Sequence, residues 1–126
     1  MKMENEEILK WLLLIGGIIE IIVGILFFFI APLFESYGIS SIPLFIQMSG
    51  AFFISFGILL IYASKDCETY KIIPLTNILF RFLVLVPVVY AMITYPQFLP
   101  MLMFTLIYDT LWSILVLVLL KKCDFI

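Results

Sequence analysis

The stretch WLLLIGGIIEIIVGILFFFIA, Trp11–Ala31, is apolar or glycine at every position but one, Glu20. A bilayer's hydrocarbon core takes about 20 such residues as a helix, each rising about 1.5 Å. Pro32 bounds this run. Runs of the same character follow at Leu44–Ala63, bounded by Lys65 and Asp66, at Ile72–Tyr95, bounded by Pro96, and at Phe98–Leu120, bounded by Lys121 and Lys122. No fifth run exists. The sequence therefore predicts an all-α integral membrane protein, one domain over residues 1–126 with spans at about 11–31, 44–63, 72–95 and 98–120.

Composition agrees. Apolar residues make up 65% of the chain and charged residues 13%, against about 25% charged in soluble domains. A soluble domain of this size could not hide that much apolar surface, so the expected surroundings are the lipid bilayer. A net charge of −2 gives no reason to expect nucleic acid as a partner. The N-terminal MKMENEEILK is rich in glutamate and no small-residue cleavage site follows it, so the first span is expected to stay on the protein.

Lysine positions predict the orientation. Lys2 and Lys10 precede the first span, Lys65 and Lys71 lie between the second and third, and Lys121 and Lys122 follow the fourth. The other two connections carry no lysine or arginine. Positive residues stay on the cytoplasmic side, so both termini are expected there, in a cell (inner or plasma) membrane. The connections are short, which favours antiparallel neighbours and an up-down-up-down four-helix bundle. Trp11, Tyr37, Tyr62, Tyr70 and Tyr95 fall near span ends, where aromatic belts form.

Local signals refine the helices. Asn5 can cap the first, with Glu6 and Glu7 in its first turn where the helix dipole favours them. Pro43, Pro74 and Pro100 fall near helix starts, where a missing N–H is tolerated. Pro87 lies inside the third span and should kink it by freeing the carbonyl of Leu83.

Each span carries one narrow polar or small-residue face at helical spacing: Gly17, Glu20 and Gly24; Gln47, Gly50, Ile54 and Gly57; Asn77 and Arg81; Thr105, Asp109, Trp112 and Ser113. Such spacing sets each group on one side of its helix. Gly17, Gly24, Gly50 and Gly57 are candidate packing residues, because small residues let helices approach closely in lipid. GIIEIIVGIL (Gly17–Leu26) also parallels GAFFISFGIL (Gly50–Leu59), through a shared packing need or a trace of duplication.

Three ionisable residues fall near the middle of their spans: Glu20, Arg81 and Asp109. A charge at the centre of an isolated span costs about 2.5–3.5 kcal/mol on insertion scales, so such residues are expected to turn inward and meet. Arg81 can hold a carboxylate with its fork of donors, with Asn77 one turn away. The trio holds two acids and one base, so the second acid is a candidate proton site or cation anchor. Glu20, Asn77, Arg81, Asp109 and Gln47 form the candidate ligand or proton site. The competing reading is an ion pair that only fixes helix register.

Conventional chemistry finds little support. There is no histidine, the commonest general base and metal ligand. Cys67 and Cys123 have no redox spacing and read as reduced free thiols, with S-palmitoylation the alternative. No catalytic residue, metal site or cofactor is expected.

GILFFFIAP (Gly24–Pro32), GAFFISFGILLIYASKD (Gly50–Asp66), Arg81 and YDTLWSILVLVLLKK (Tyr108–Lys122) together resemble the DoxX-like group of small four-helix membrane proteins. That resemblance implies an up-and-down four-helix bundle, and some members look like membrane subunits of quinone-linked oxidoreductases. GGIIEIIVG, with its membrane glutamate, is also similar to the first helix of small multidrug resistance transporters. Arg81 and Asp109 have no counterpart in that pattern, and the glycine-to-glutamate spacing differs. The expected function is a non-enzymatic membrane bundle that binds a lipid-like molecule or serves as a small accessory subunit, alone, as a homo-oligomer or in a larger membrane complex. The alternative is a proton-coupled transporter of small cations acting as a dimer.

Overall fold

A computed structural model describes residues 2–36, 38 and 43–126. They form helices α1 (Lys2–Phe27), α2 (Ala31–Ser36), α3 (Pro43–Ala63), α4 (Ile72–Thr94) and α5 (Leu99–Lys122), with a 3-10 turn at Pro96–Phe98 before α5. No strand occurs among the described residues. Four segments are long and apolar enough to cross a membrane: Met3–Phe27, Leu44–Ala63, Ile72–Thr94 and Pro96–Lys122.

The helix ends differ from expectation in two places. Helix α1 begins at Lys2, with Glu4 in its first turn, so Asn5 is not a cap. The acidic tail simply continues the helix of the span, as glutamate and lysine readily do. The same helix ends at Phe27, short of Pro32. Phe28 and Phe29 donate to the carbonyls of Ile25 and Leu26, the tightened bonds that close a final turn. Pro32 then sits in the first turn of α2, where it needs no N–H partner. Pro43, Pro74 and Pro100 fall near helix starts as expected: Pro43 opens α3, Pro74 lies in the first turn of α4 and Pro100 in the first turn of α5; Pro87 lies inside α4, which continues through it. Of the expected aromatic belt, Trp11, Tyr62 and Tyr95 are exposed and Tyr70 half-buried; Tyr37 lies outside the described residues.

Helices α1 and α3 make the closest interface. A Cβ on Gly17 would lie 2.6 Å from the carbonyl oxygen of Gly57, and one on Gly24 would lie 2.5 Å from that of Gly50. Ile21, Ile54 and Ile61 fill the space beside these glycines. The two similar stretches therefore meet each other and share one packing surface. In lipid such contact is favoured by dispersion, since no water is expelled.

Packing is uneven along the bundle. The core of Leu9, Leu13, Leu60, Ala63, Val116, Leu120 and Cys123 lies in the half that holds the N-terminus, the 64–71 connection and the C-terminal tail. Phe125 is buried there, and Lys71 Nζ donates to its carbonyl at 2.6 Å. In the other half, beyond Glu20, Arg81 and Trp112, only Gly24, Gly50, Val88 and Phe98 are buried among the described residues. At the boundary between the halves α3 meets α4 through aromatic rings: Phe80 stacks on Phe56 at 5.1 Å and meets Phe53 edge-on at 6.1 Å.

Candidate functional site

At the boundary between the two halves, α1, α4 and α5 bring four polar side chains together. Arg81 on α4 is the hub. Its Nη2 donates to Glu20 Oε1 on α1, its Nη1 to Asp109 Oδ1 on α5 at 2.5 Å, and its Nε to Asn77 Oδ1 at 2.7 Å. Asn77 Nδ2 then donates to both Glu20 oxygens, at 3.1 and 3.3 Å. The planar guanidinium suits this role, since it presents donors on two edges at once and grips two carboxylates that a lysine could not hold in one plane. Asn77 stands one helical turn before Arg81 and bridges the base to one acid.

Aromatic rings close the network. The guanidinium carbon lies 4.3 Å from the Trp112 ring centre and 5.5 Å from that of Tyr108, within cation–π range. Trp112 is anchored by its indole N–H, which donates to the carbonyl of Leu12 at 3.2 Å. Gly16 makes this possible, because a Cβ there would lie 2.6 Å from the indole nitrogen.

The two acids are not equivalent. Glu20 is buried, with 6% of its side chain exposed, and both its oxygens are hydrogen-bonded. Asp109 is 14% exposed, and its only hydrogen bond among the described residues is the one from Arg81 to Oδ1. Near it on α5 the Tyr108 hydroxyl is buried beside Arg81, and that of Ser113, one turn on, is buried without a partner. Asp109 is thus the open edge of the network.

Of the residues expected at the site, Glu20, Asn77, Arg81 and Asp109 meet. Gln47 does not: it is half-buried on α3, forms no hydrogen bond with those four, and precedes Gly50 on the far side of the Gly24–Gly50 contact from Glu20. Thr105 donates to the Met101 carbonyl of its own helix at 3.0 Å, which satisfies its hydroxyl locally. Gly16 and Tyr108 were not among the expected residues. The spacing Tyr108–Asp109–Trp112 sets them on adjoining faces of α5, but only the Arg81 side chain, reaching across from α4, joins them.

An apolar cavity lies farther along α5, and Asp109 does not line it. Seven residues before Asp109 on the same face lies Leu102, about 10 Å along the helix. Leu102, Met101, Phe98, Phe34, Ala91 and Tyr95 line a half-open apolar space of about 190 Å³. No group of three His, Cys, Asp or Glu suited to a metal ion occurs among the described residues. Cys67 and Cys123 are buried in the core at the opposite end. No family model, curated protein or solved structure matches the chain.

Proposed function

We propose that this chain is a non-enzymatic integral membrane bundle whose Glu20–Asn77–Arg81–Asp109 network binds a lipid-like molecule. One observation carries the reading: a network with one acid more than bases is half-open at Asp109, on helices that also line an apolar cavity about 10 Å farther along. A purely structural ion pair gains from being closed on all sides. A membrane ligand site needs an apolar space with a few convergent polar groups.

The arrangement in the membrane follows from the contacts and the charges. Gly17 meets Gly57 and Gly24 meets Gly50, so residue numbers rise on α1 as they fall on α3. Likewise Arg81 meets Asp109 and Lys71 meets Phe125 across α4 and α5. These pairings support an up-down-up-down course. Met3, Ser64, Asp66 and Phe125 border one polar cleft, which gathers both tails and the middle connection at one end. With their six lysines, that end is cytoplasmic, in a cell membrane. The likeness to the DoxX-like group is compatible with this arrangement.

The direct experiment is native mass spectrometry of the protein extracted gently from its own membranes. A retained small-molecule mass that disappears in Asp109→Asn supports the reading. A chain held only to a larger protein overturns it in favour of an accessory subunit, and a bare homo-oligomer overturns it in favour of transport. The charge surplus favours one alternative, a dimeric proton-coupled transporter of small cations, for which Asp109→Asn and Glu20→Gln would abolish flux while the folded protein persists.

A further inference from the structure

We propose that α5 and the last turns of α4 form a lateral gate: α5 tilts about its buried C-terminal half, α4 bends at Pro87, and the bundle opens to the surrounding lipid beside Phe34. As an entry for a ligand the gate rests on the ligand-binding reading above. The motion itself needs no ligand.

The pivot follows from burial. Trp112, Ser113, Val116, Leu119 and Leu120 are buried on α5, and the Trp112 indole N–H ties that half to the Leu12 carbonyl of α1. No residue of α5 from Leu99 to Leu111 is buried. That stretch is about 20 Å of helix, a stiff lever held at one end. Asp109 lies one turn from Trp112, so a tilt moves its bond to Arg81 least.

The hinge follows from Pro87. The connection between α4 and α5 is tight: the Tyr95 N–H donates to the Ala91 carbonyl at 2.7 Å and the Phe98 N–H to the Tyr95 carbonyl at 3.0 Å. The end of α4 must therefore follow the start of α5. Before Pro87, α4 is held by buried Asn77, Ile78 and Arg81; after it, only Val88 is buried. Proline lacks the N–H that would bond the Leu83 carbonyl, so a bend there breaks no bond between those two residues. A few such positions are enough to absorb the motion of a whole element.

The opposing wall stays in place. Gly24 and Gly50 lock α1 to α3 within the loosely packed half, and Phe27 meets Phe53 edge-on at 5.3 Å beyond them. The seam between this wall and the gate is apolar. Phe34 of α2 meets Phe98 edge-on at 5.4 Å, and the half-open space of about 190 Å³ lies between Phe34 on one side and Ala91, Tyr95, Met101 and Leu102 on the other. Lipid tails are as apolar as these side chains, so they can replace the parted contacts without the cost that water would impose.

The test measures distances between paired spin labels on the full chain in neutral-lipid nanodiscs, with Cys67→Ala and Cys123→Ala as background. Labels at Leu26→Cys and Leu99→Cys span the gate, and labels at Ile8→Cys and Val118→Cys span the well-packed half; all four positions are exposed. The gate pair should give two distances and the other pair one. Pro87→Leu favours the helix and so preserves the fold. It should lower the share of the longer gate distance about fivefold or more, as restoring one backbone hydrogen bond implies. A single distance for the gate pair overturns the gate. Two distances for both pairs overturn the pivot, and a gate pair that Pro87→Leu leaves unchanged overturns the hinge. None of these results touches the mass retained in the native experiment, so the gate and the ligand-binding reading fail separately.

Discussion

Gly24 and Gly50 face each other so closely that a Cβ built on either lies 2.5 Å from the carbonyl oxygen of the other. The obstacle is backbone on both sides, so no rotamer change relieves it. Gly17 and Gly57 repeat the relationship at 2.6 and 2.5 Å. Gly24→Ala and Gly57→Ala should each push α1 from α3 and destabilise the bundle by about 1–3 kcal/mol, the usual range for overpacking. Thermal unfolding in a mild detergent measures this. A variant melting with the parent would show that the helices separate without loss. Gly38→Ala is the contrast: its φ of +79° strains any side chain, but nothing lies within 4 Å of a Cβ there.

The charged network predicts an order of variants rather than a single loss. Glu20→Gln keeps an acceptor for Arg81 and leaves the guanidinium balanced by Asp109. Arg81→Met leaves two carboxylates in the membrane interior with no base between them. Removing one partner of a buried ion pair generally costs about 3–5 kcal/mol, so Arg81→Met should abolish the folded monodisperse protein and Glu20→Gln should preserve it. Asn77→Leu should fall between, because Arg81 Nε and Glu20 each lose a partner at about 1–3 kcal/mol for a buried unsatisfied group. Size-exclusion profiles and melting temperatures rank the three, and an Arg81→Met protein as stable as the parent would refute the hub role.

The inward turn of Glu20, Arg81 and Asp109 was legible because lipid leaves ionisable side chains one low-energy direction. The glycine faces were legible through their spacing. Gln47 misled for the same reason: its spacing sets it on the glycine face of α3, but a face runs the whole helix, and depth decides which neighbours it meets. Gly16 and Tyr108 were missed because their roles depend on large side chains from other helices, the Trp112 indole and the Arg81 guanidinium. The cavity at Leu102 has no sequence signature, since it arises from how loosely one half of the bundle packs.

A long-range hydrogen bond reaches the C-terminal tail at its last turns. Lys71 Nζ donates to the Phe125 carbonyl at 2.6 Å, and the Phe125 side chain is buried at the edge of the core. Lys71→Met removes the donor and should loosen the tail without unfolding the spans. Amide hydrogen exchange at residues 123–126 should rise by about fivefold, as loss of one hydrogen bond of about 1 kcal/mol implies. Exchange in the middle of α1 and α4 should not change. Unchanged exchange in the tail would mean that the Lys71 bond does not secure it.

Cys67 offers a pH-dependent readout outside the spans. Burial, assisted by the neighbouring Cys123 thiol and the carboxylates of Asp66 and Glu6, pushes its thiol from the ordinary 9.0 up to about 11. Only the thiolate reacts with a maleimide. At pH 8 the folded protein should therefore label at Cys67 about a hundredfold more slowly than the unfolded chain, before any shielding by the core. The same shift sets a stability window. Below pH 9 the thiol is neutral in both states and the folded form keeps its full advantage. Between pH 9 and about 11 the unfolded chain releases the proton first, so stability falls as pH rises through that interval and levels off above it. Cys67→Ala should remove this alkaline decline in melting temperature while leaving other alkaline transitions in place. A decline of the same size in the variant would show that Cys67 does not contribute to it.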